Sequence, residues 1–258
     1  MPTKVHPTAV VHPKAELGNM VEIGPYAVIG EHVKIGNNCF IGSSVLIDGF
    51  TEIGNNNRIF HGASIGTVPQ DLKYNGAKSF VRIGNDNTIR EYVTVNAATG
   101  EGESTILGNS NLLMAYVHIA HNCEIGNNVI LANAVNLAGH VKIHDYAIIG
   151  GMTPVHQFVE IGEHAFVGGG SRIAKDIPPF IKVAGNPPRV NGMNSVGLMR
   201  RGFTLEQRVL LKRVYCIIYR NGLNVSQALE RIEKEFPKTR EIQLLVDFIR
   251  NSRRGITK

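Results

Sequence analysis

Aliphatic side chains return at every sixth position of this chain, from Val5 to Ile173, in one unbroken register. Of the 29 positions on that grid, 26 are Ile, Leu or Val, and the three exceptions, Asp71, Ala77 and Glu101, fall within two polar stretches. A period of six matches neither the 3.6 of an amphipathic helix nor the 2 of a half-buried strand, so the pattern predicts a solenoid of short strands. Gly follows the aliphatic residue in thirteen hexads, often with Asn next, as in Gly36-Asn37-Asn38 and Gly126-Asn127-Asn128. Both residue types tolerate positive φ, so the pair is expected to turn a corner between strands while the aliphatic side chain points inward.

The polar stretches 67–82 and 96–106 each consume whole hexads without shifting the register, which predicts two loops thrown out from corners of an otherwise regular tube. Loops on a rigid scaffold often carry function, although a solenoid also tolerates idle insertions. Near residue 190 the grid ends and helical signals begin. Thr204-Leu205-Glu206-Gln207 reads as a capping box ahead of a helix over 208–219, with Gly222 as its stop, and 226–235 and 240–251 read as two further helices. The chain therefore divides into a solenoid over 1–190 and a helical domain over 191–258, with Pro178, Pro179, Pro187 and Pro188 marking the hinge.

Composition narrows the partners. A net charge of +6 favours something acidic, but the basic residues are dispersed, Trp is absent and no recognition motif appears, so an acidic protein or a phosphorylated small molecule fits better than nucleic acid. No apolar run approaches a membrane span and the N-terminus lacks a signal-peptide pattern, so a cytoplasmic location is expected. Cys39, Cys123 and Cys216 are too scattered for a disulfide framework or a zinc knuckle and read as buried thiols.

Chemistry concentrates after the second loop, where His118, His121, His140, His144, His156 and His164 lie within one stretch. His118-Ile119-Ala120-His121, the loop segment Gln70-Asp71-Leu72-Lys73-Tyr74 and the tail segments Gly197-Leu198-Met199-Arg200-Arg201-Gly202-Phe203 and Asp247-Phe248-Ile249-Arg250-Asn251-Ser252 closely resemble the UDP-N-acetylglucosamine O-acyltransferases of lipid A synthesis. The likeness spans nearly the whole chain, whereas the hexad pattern alone indicates only the hexapeptide-repeat superfamily. The resemblance implies a left-handed parallel β-helix of three hexads per coil, triangular in section, with a C-terminal α-helical domain. Residues eighteen apart then stack about one strand spacing (~4.8 Å) from each other.

On that resemblance His121 is the general base that takes a proton from the sugar 3-hydroxyl as it attacks an acyl thioester, and the Gly139 N–H polarises the thioester carbonyl. Imidazole, with a pKa of ~6.5, can take the proton and later return it to the thiol. The eighteen-residue ruler puts Gly139 and Gln157 in the column of His121. Gly139 thus removes a side chain where substrate must sit. The ruler also stacks His140 over Asn122, and His156 over Ala138 and Ala120, as groove-lining donors. By resemblance His118 binds the acceptor, Asp71 and Lys73 contact the sugar, Arg200 and Arg201 approach the diphosphate, Asn194 lies at the uridine end, and Gly169 is the ruler for acyl length. His144 and His164 are expected at the surface.

Two positions depart from the family pattern: Asn122 stands where many relatives carry Asp after the catalytic His, and Val196 where relatives can carry Glu. The implied donor is acyl-carrier protein, with coenzyme A thioester as the competitor, and the implied assembly is a homotrimer. No cofactor or metal is implied. A 3-amino acceptor would suit the same neutral His. A γ-type carbonic anhydrase shares the prism, but its paired His residues are five apart rather than three as in His118 and His121. A purely structural solenoid would not need the groove histidines.

Overall fold

The computed structural model describes residues 2–258. Among the described residues, short strands, most of them two residues long, form three sheets of 11, 8 and 8 strands that are the faces of a left-handed triangular prism; the pairing is parallel except at the C-terminal end of the 11-stranded sheet. The first face begins at Lys4–Val5, the second at Val10–Val11 and the third at Glu16–Leu17. Lys4 pairs with Glu22, so one coil is 18 residues; the stride lengthens between Arg58 and Thr88, and again between Thr88 and Leu112, where the loops are inserted. Because each insertion is a multiple of six, Ile59, Ile89 and Leu113 still stack in one inward column and all three are fully buried. The core is thus a thin stack of aliphatic layers in which each coil leans on its neighbours.

The corners are built differently from the expectation. Gly36 has ordinary φ; a Cβ there would stand 2.8 Å from the Gly54 backbone, so Gly is required by the close approach of successive coils. The left-handed residue comes two positions later and is usually not Gly: Asn38, Asn56, Tyr92, Asn122, His140 and Phe158 all have φ between 55° and 62°. Asn at the intervening position has a third role. The Asn37 side chain accepts from Asn19 N–H, that of Asn55 from Asn37 N–H, and the ladder continues to Asp145.

Both loops leave the same corner, between the second and third faces. The first joins Ser64–Thr67 to Phe80–Ile83 and the second joins Thr94–Asn96 to Ser104–Leu107. They are shorter than expected because Phe80, Val81, Ser104 and Thr105 continue the third face. Gly102 N–H donates to Lys78 O (2.9 Å) and Lys78 N–H to Glu101 Oε2 (2.8 Å), which ties the loops together.

Beyond the prism, Arg189–Met193 pairs antiparallel with Ile181–Ala184, so the first face continues across residue 190. Helices α1 (Ser195–Arg200), α2 (Leu205–Arg220), α3 (Val225–Glu235) and α4 (Arg240–Asn251) follow. The Thr204–Gln207 capping box is present, and Tyr215 of α2 joins the prism core. Among the described residues no helix is long and apolar enough to cross a membrane. Cys39 and Cys123 are buried and Cys216 is half-buried; burial pushes the Cys123 thiol up to about 12.

Candidate active site

Above the second loop, the second-to-third corner of the next three coils carries His121-Asn122, then Gly139-His140, then Gln157-Phe158. Loops and corner enclose an open cavity of about 710 Å³ whose lining includes Asp71, Lys73, His121, His140, Gln157 and Phe158. Residues far apart in sequence meet here because both insertions occur on the edge that, one to three coils later, bears the histidines. His118 lies on the adjoining strand of the second face, where Nδ1 meets Thr94 Oγ1 at 2.7 Å. His156 is exposed beside Gln157 and its Nδ1 donates to the Gln157 carbonyl (3.1 Å).

His121 is held on one side only. Its Nδ1 lies 3.0 Å from Asn122 Oδ1, which also accepts from Thr99 N–H (3.1 Å) and Thr99 Oγ1 (3.0 Å), while Asn122 Nδ2 donates to Glu103 Oε2 (2.7 Å). A backbone N–H can only donate and a carboxylate can only accept, so the network assigns the amide its orientation. Oδ1 is then an acceptor toward His121, which requires the proton on Nδ1 and leaves the lone pair on Nε2. Nε2 faces Asp71 Oδ2 at 3.6 Å, and Asp71 is steadied by accepting from Lys73 N–H at Oδ1 (2.9 Å).

Gly139 makes room for the base. A Cβ at that position would stand 2.5 Å from His121 Nε2, so what the missing side chain clears is room for the imidazole itself. The Gly139 N–H has no backbone acceptor among the described residues. His140 packs edge-on to His121 (5.2 Å between centroids) and stacks on Phe158 (4.7 Å). Burial first, and then the proximity of His121, lower the pKa of both His118 and His140, which favours the neutral form of the flanking rings.

The chain is 54% identical to an acyl-[acyl-carrier-protein]–UDP-N-acetylglucosamine O-acyltransferase of Gloeothece citriformis, over 97% of this chain and 90% of that protein. It belongs to the UDP-N-acetylglucosamine O-acyltransferase family. A protein of the same name from Halorhodospira halophila is 46% identical over 99% of this chain and all of its own length. The solved UDP-N-acetylglucosamine acyltransferase of Bacteroides fragilis superposes with a TM-score of 0.96, at 46% identity, over 98% of this chain and 100% of that one. The family model described as UDP N-acetylglucosamine O-acyltransferase, domain 2, matches residues 176–257, and the bacterial transferase hexapeptide model matches 14–49 and 104–139.

Not every residue expected in this acyltransferase's site reaches the His121 corner. Asn194 and Arg200 line a separate cavity of about 300 Å³ against the first face, with Lys182. Asn194 is buried and caps α1, accepting from Gly197 N–H while its amide nitrogen donates to His164 O (3.0 Å). The Arg201 guanidinium packs on Tyr146 (4.4 Å), and burial lowers its pKa. Gly169 lies at the first-to-second corner, where a Cβ would stand 3.1 Å from Gly151 O. His164 is not a surface residue: it is 5% exposed and stacks between Tyr146 and Phe180. His144 is partly exposed and pairs with Glu160 at 2.5 Å.

Thr99, Glu103 and Phe158 line the cavity and were not singled out from the sequence. For Phe158 the eighteen-residue ruler held a signal, since it stacks over His140. Thr99 and Glu103 lie in the second loop, whose path over the corner no spacing encodes.

Proposed function

We propose that this chain transfers a 3-hydroxyacyl group from acyl-carrier protein to the 3-hydroxyl of UDP-N-acetylglucosamine, the first step of lipid A synthesis, in the cytoplasm. The observation that carries the chemistry is the His121 ring, whose Nε2 lone pair faces the cavity while Nδ1 is held by Asn122. In this reading Nε2 takes the proton of the sugar hydroxyl as its oxygen attacks the thioester carbonyl. The carbon–oxygen bond forms, the carbonyl oxygen takes up negative charge, and the Gly139 N–H stabilises it. The carbon–sulfur bond then breaks, and the imidazolium returns the proton to the leaving thiolate. Asp71 at 3.6 Å stabilises the transient imidazolium and is placed to accept from a neighbouring sugar hydroxyl.

The remaining groups support an assembly. The base lies on the second-to-third edge, whereas Gly169 lies on the first-to-second edge and Arg200 on the first face. One prism cannot bring two of its own edges together, but three prisms packed around an axis can set one edge of each beside another edge of its neighbour. A homotrimer with the acyl groove and the diphosphate contacts shared between chains fits that placement.

The test is to incubate the purified protein with UDP-N-acetylglucosamine and a panel of hydroxyacyl-carrier proteins and to weigh the product. An alkali-labile ester is expected; if UDP-N-acetylglucosamine gives no product while its 3-amino analogue, offered in a parallel incubation, gives an alkali-stable amide, the amide-forming reading is favoured. His121→Ala is expected to abolish turnover while the assembly stays intact, and retained turnover would reassign the base.

A further inference from the structure

The side chain that orients His121 is uncharged, yet a carboxylate stands immediately behind it. Asn122 Nδ2 donates to Glu103 Oε2 at 2.7 Å, and that same oxygen accepts from Gly100 N–H at 3.0 Å. The Asn122 backbone is fixed as well, with its N–H donating to Thr105 Oγ1 (2.8 Å) and its φ in the left-handed region. The amide is therefore held at three points, and its two ends face opposite partners. The carboxylate draws the Nδ2 protons and pushes electron density toward Oδ1, which is the atom that meets His121 Nδ1.

We propose that Glu103 is a positioning residue that acts through Asn122, supplying from the second loop the negative charge that steadies the His121 imidazolium during acyl transfer. This rests on the reading of His121 as the base. The chain places the charge one hydrogen bond further from the ring than a carboxylate at 122 would, and a neutral amide relays it. The transferred proton passes only through Nε2, taken from the sugar hydroxyl and given to the leaving thiolate: Nδ1–H is never lost, and neither Asn122 nor Glu103 changes protonation.

Other charged and titratable groups also face His121. Asp71 and Lys73 come from the first loop, Glu101 from the second, His118 from the same coil and His140 from the next. Glu103 raises the pKa of His140 and so is felt across the cavity. All of these groups remain when Glu103 alone is changed.

Glu103→Gln keeps an acceptor oxygen for Asn122 and Gly100 and removes only the charge. It is expected to lower kcat roughly five- to tenfold, with the KM for the sugar nucleotide changed by less than about twofold. Negative charge behind Nδ1–H favours the protonated ring, so its removal moves the acid limb of the kcat/KM profile to lower pH. Asn122→Asp alone sets two carboxylates against each other at the 2.7 Å contact and should be impaired. The double variant Asn122→Asp with Glu103→Gln exchanges amide and carboxylate, and is expected to regain activity to within about threefold of the parent, with the acid limb restored.

A Glu103→Gln enzyme with unchanged kcat and acid limb would overturn the proposal. So would a raised KM that the exchange does not cure, because Glu103 would then be a direct substrate contact. His121→Ala separates the two readings: if it retains turnover the base assignment falls, whereas an inactive His121→Ala beside an unaltered Glu103→Gln removes only the relay.

Discussion

Gly139→Ala is the sharpest test of how this corner works, because one methyl group separates two explanations of the glycine. If Gly139 serves only the tight corner, Ala is harmless: its φ is not in the left-handed region, and the nearest atoms to an added Cβ belong to the His121 ring rather than to backbone. If it makes room for the base, the Cβ stands 2.5 Å from Nε2, and the ring must retreat about 1 Å to reach an ordinary contact near 3.5 Å. A misplacement of about 1 Å costs on the order of 100-fold in rate, or roughly 2.7 kcal/mol of transition-state stabilisation. Stability should hardly change. Losing the bond from Nδ1 to Asn122 costs about 1 kcal/mol, and replacing Gly by Ala at a compatible position returns roughly 0.4–1 kcal/mol through the unfolded chain. Steady-state kinetics with acyl-carrier protein as donor, beside a thermal melt, would read both. The expected pair is kcat down about 100-fold and a melting shift of less than ~4 °C. A variant with nearly parental kcat would refute the close packing of ring on glycine, and one that unfolds would show that the ring cannot retreat without disrupting the coil, against the small stability change expected.

Two further expectations concern the acyl groove and pH. Gly169→Met should shorten the preferred acyl chain; its Cβ meets Gly151 O at 3.1 Å, a contact that small backbone movement relieves, and an unchanged chain-length profile would count against a groove at that corner. Folding stability should fall on acidification. His118 and His140 have pKa values lowered in the folded state, chiefly by burial, so the stabilisation from keeping them neutral is complete above the unfolded value of ~6.5 and is lost as pH drops through the lower folded values. Denaturant midpoints measured from pH 7.5 down to 5 should decline, and His118→Gln should flatten part of that decline; identical slopes would contradict the assigned burial effect.

Much of the fold was legible because the solenoid repeats one local rule. Burying Ile59, Ile89 and Leu113 requires only that each coil present an aliphatic residue at the same phase, and a six-residue period states that phase directly. The α1 helix escaped notice since its six residues, Ser195-Val196-Gly197-Leu198-Met199-Arg200, carry no amphipathic period and rest on one cap, Asn194. His164 looked like a surface residue because its burial depends on Phe180 and on Phe203, which packs edge-on to its ring at 5.1 Å; both come from segments beyond the ruler.

The sequence by itself determined the solenoid and its register through both insertions, since these follow from a six-residue period, and the family resemblance added the three-hexad coil that sets Gly139 and Gln157 in the column of His121. Only the tertiary structure decided which groups meet the base. The second loop obeys no period, so its path alone brings Thr99 and Glu103 to Asn122 and thereby fixes the proton on Nδ1. The direction of the His121 side chain likewise decided that the glycine above it is filled by the ring. Spacing along a chain encodes where backbones stack, whereas hydrogen-bond partners depend on the directions of side chains and loops, which packing in three dimensions sets.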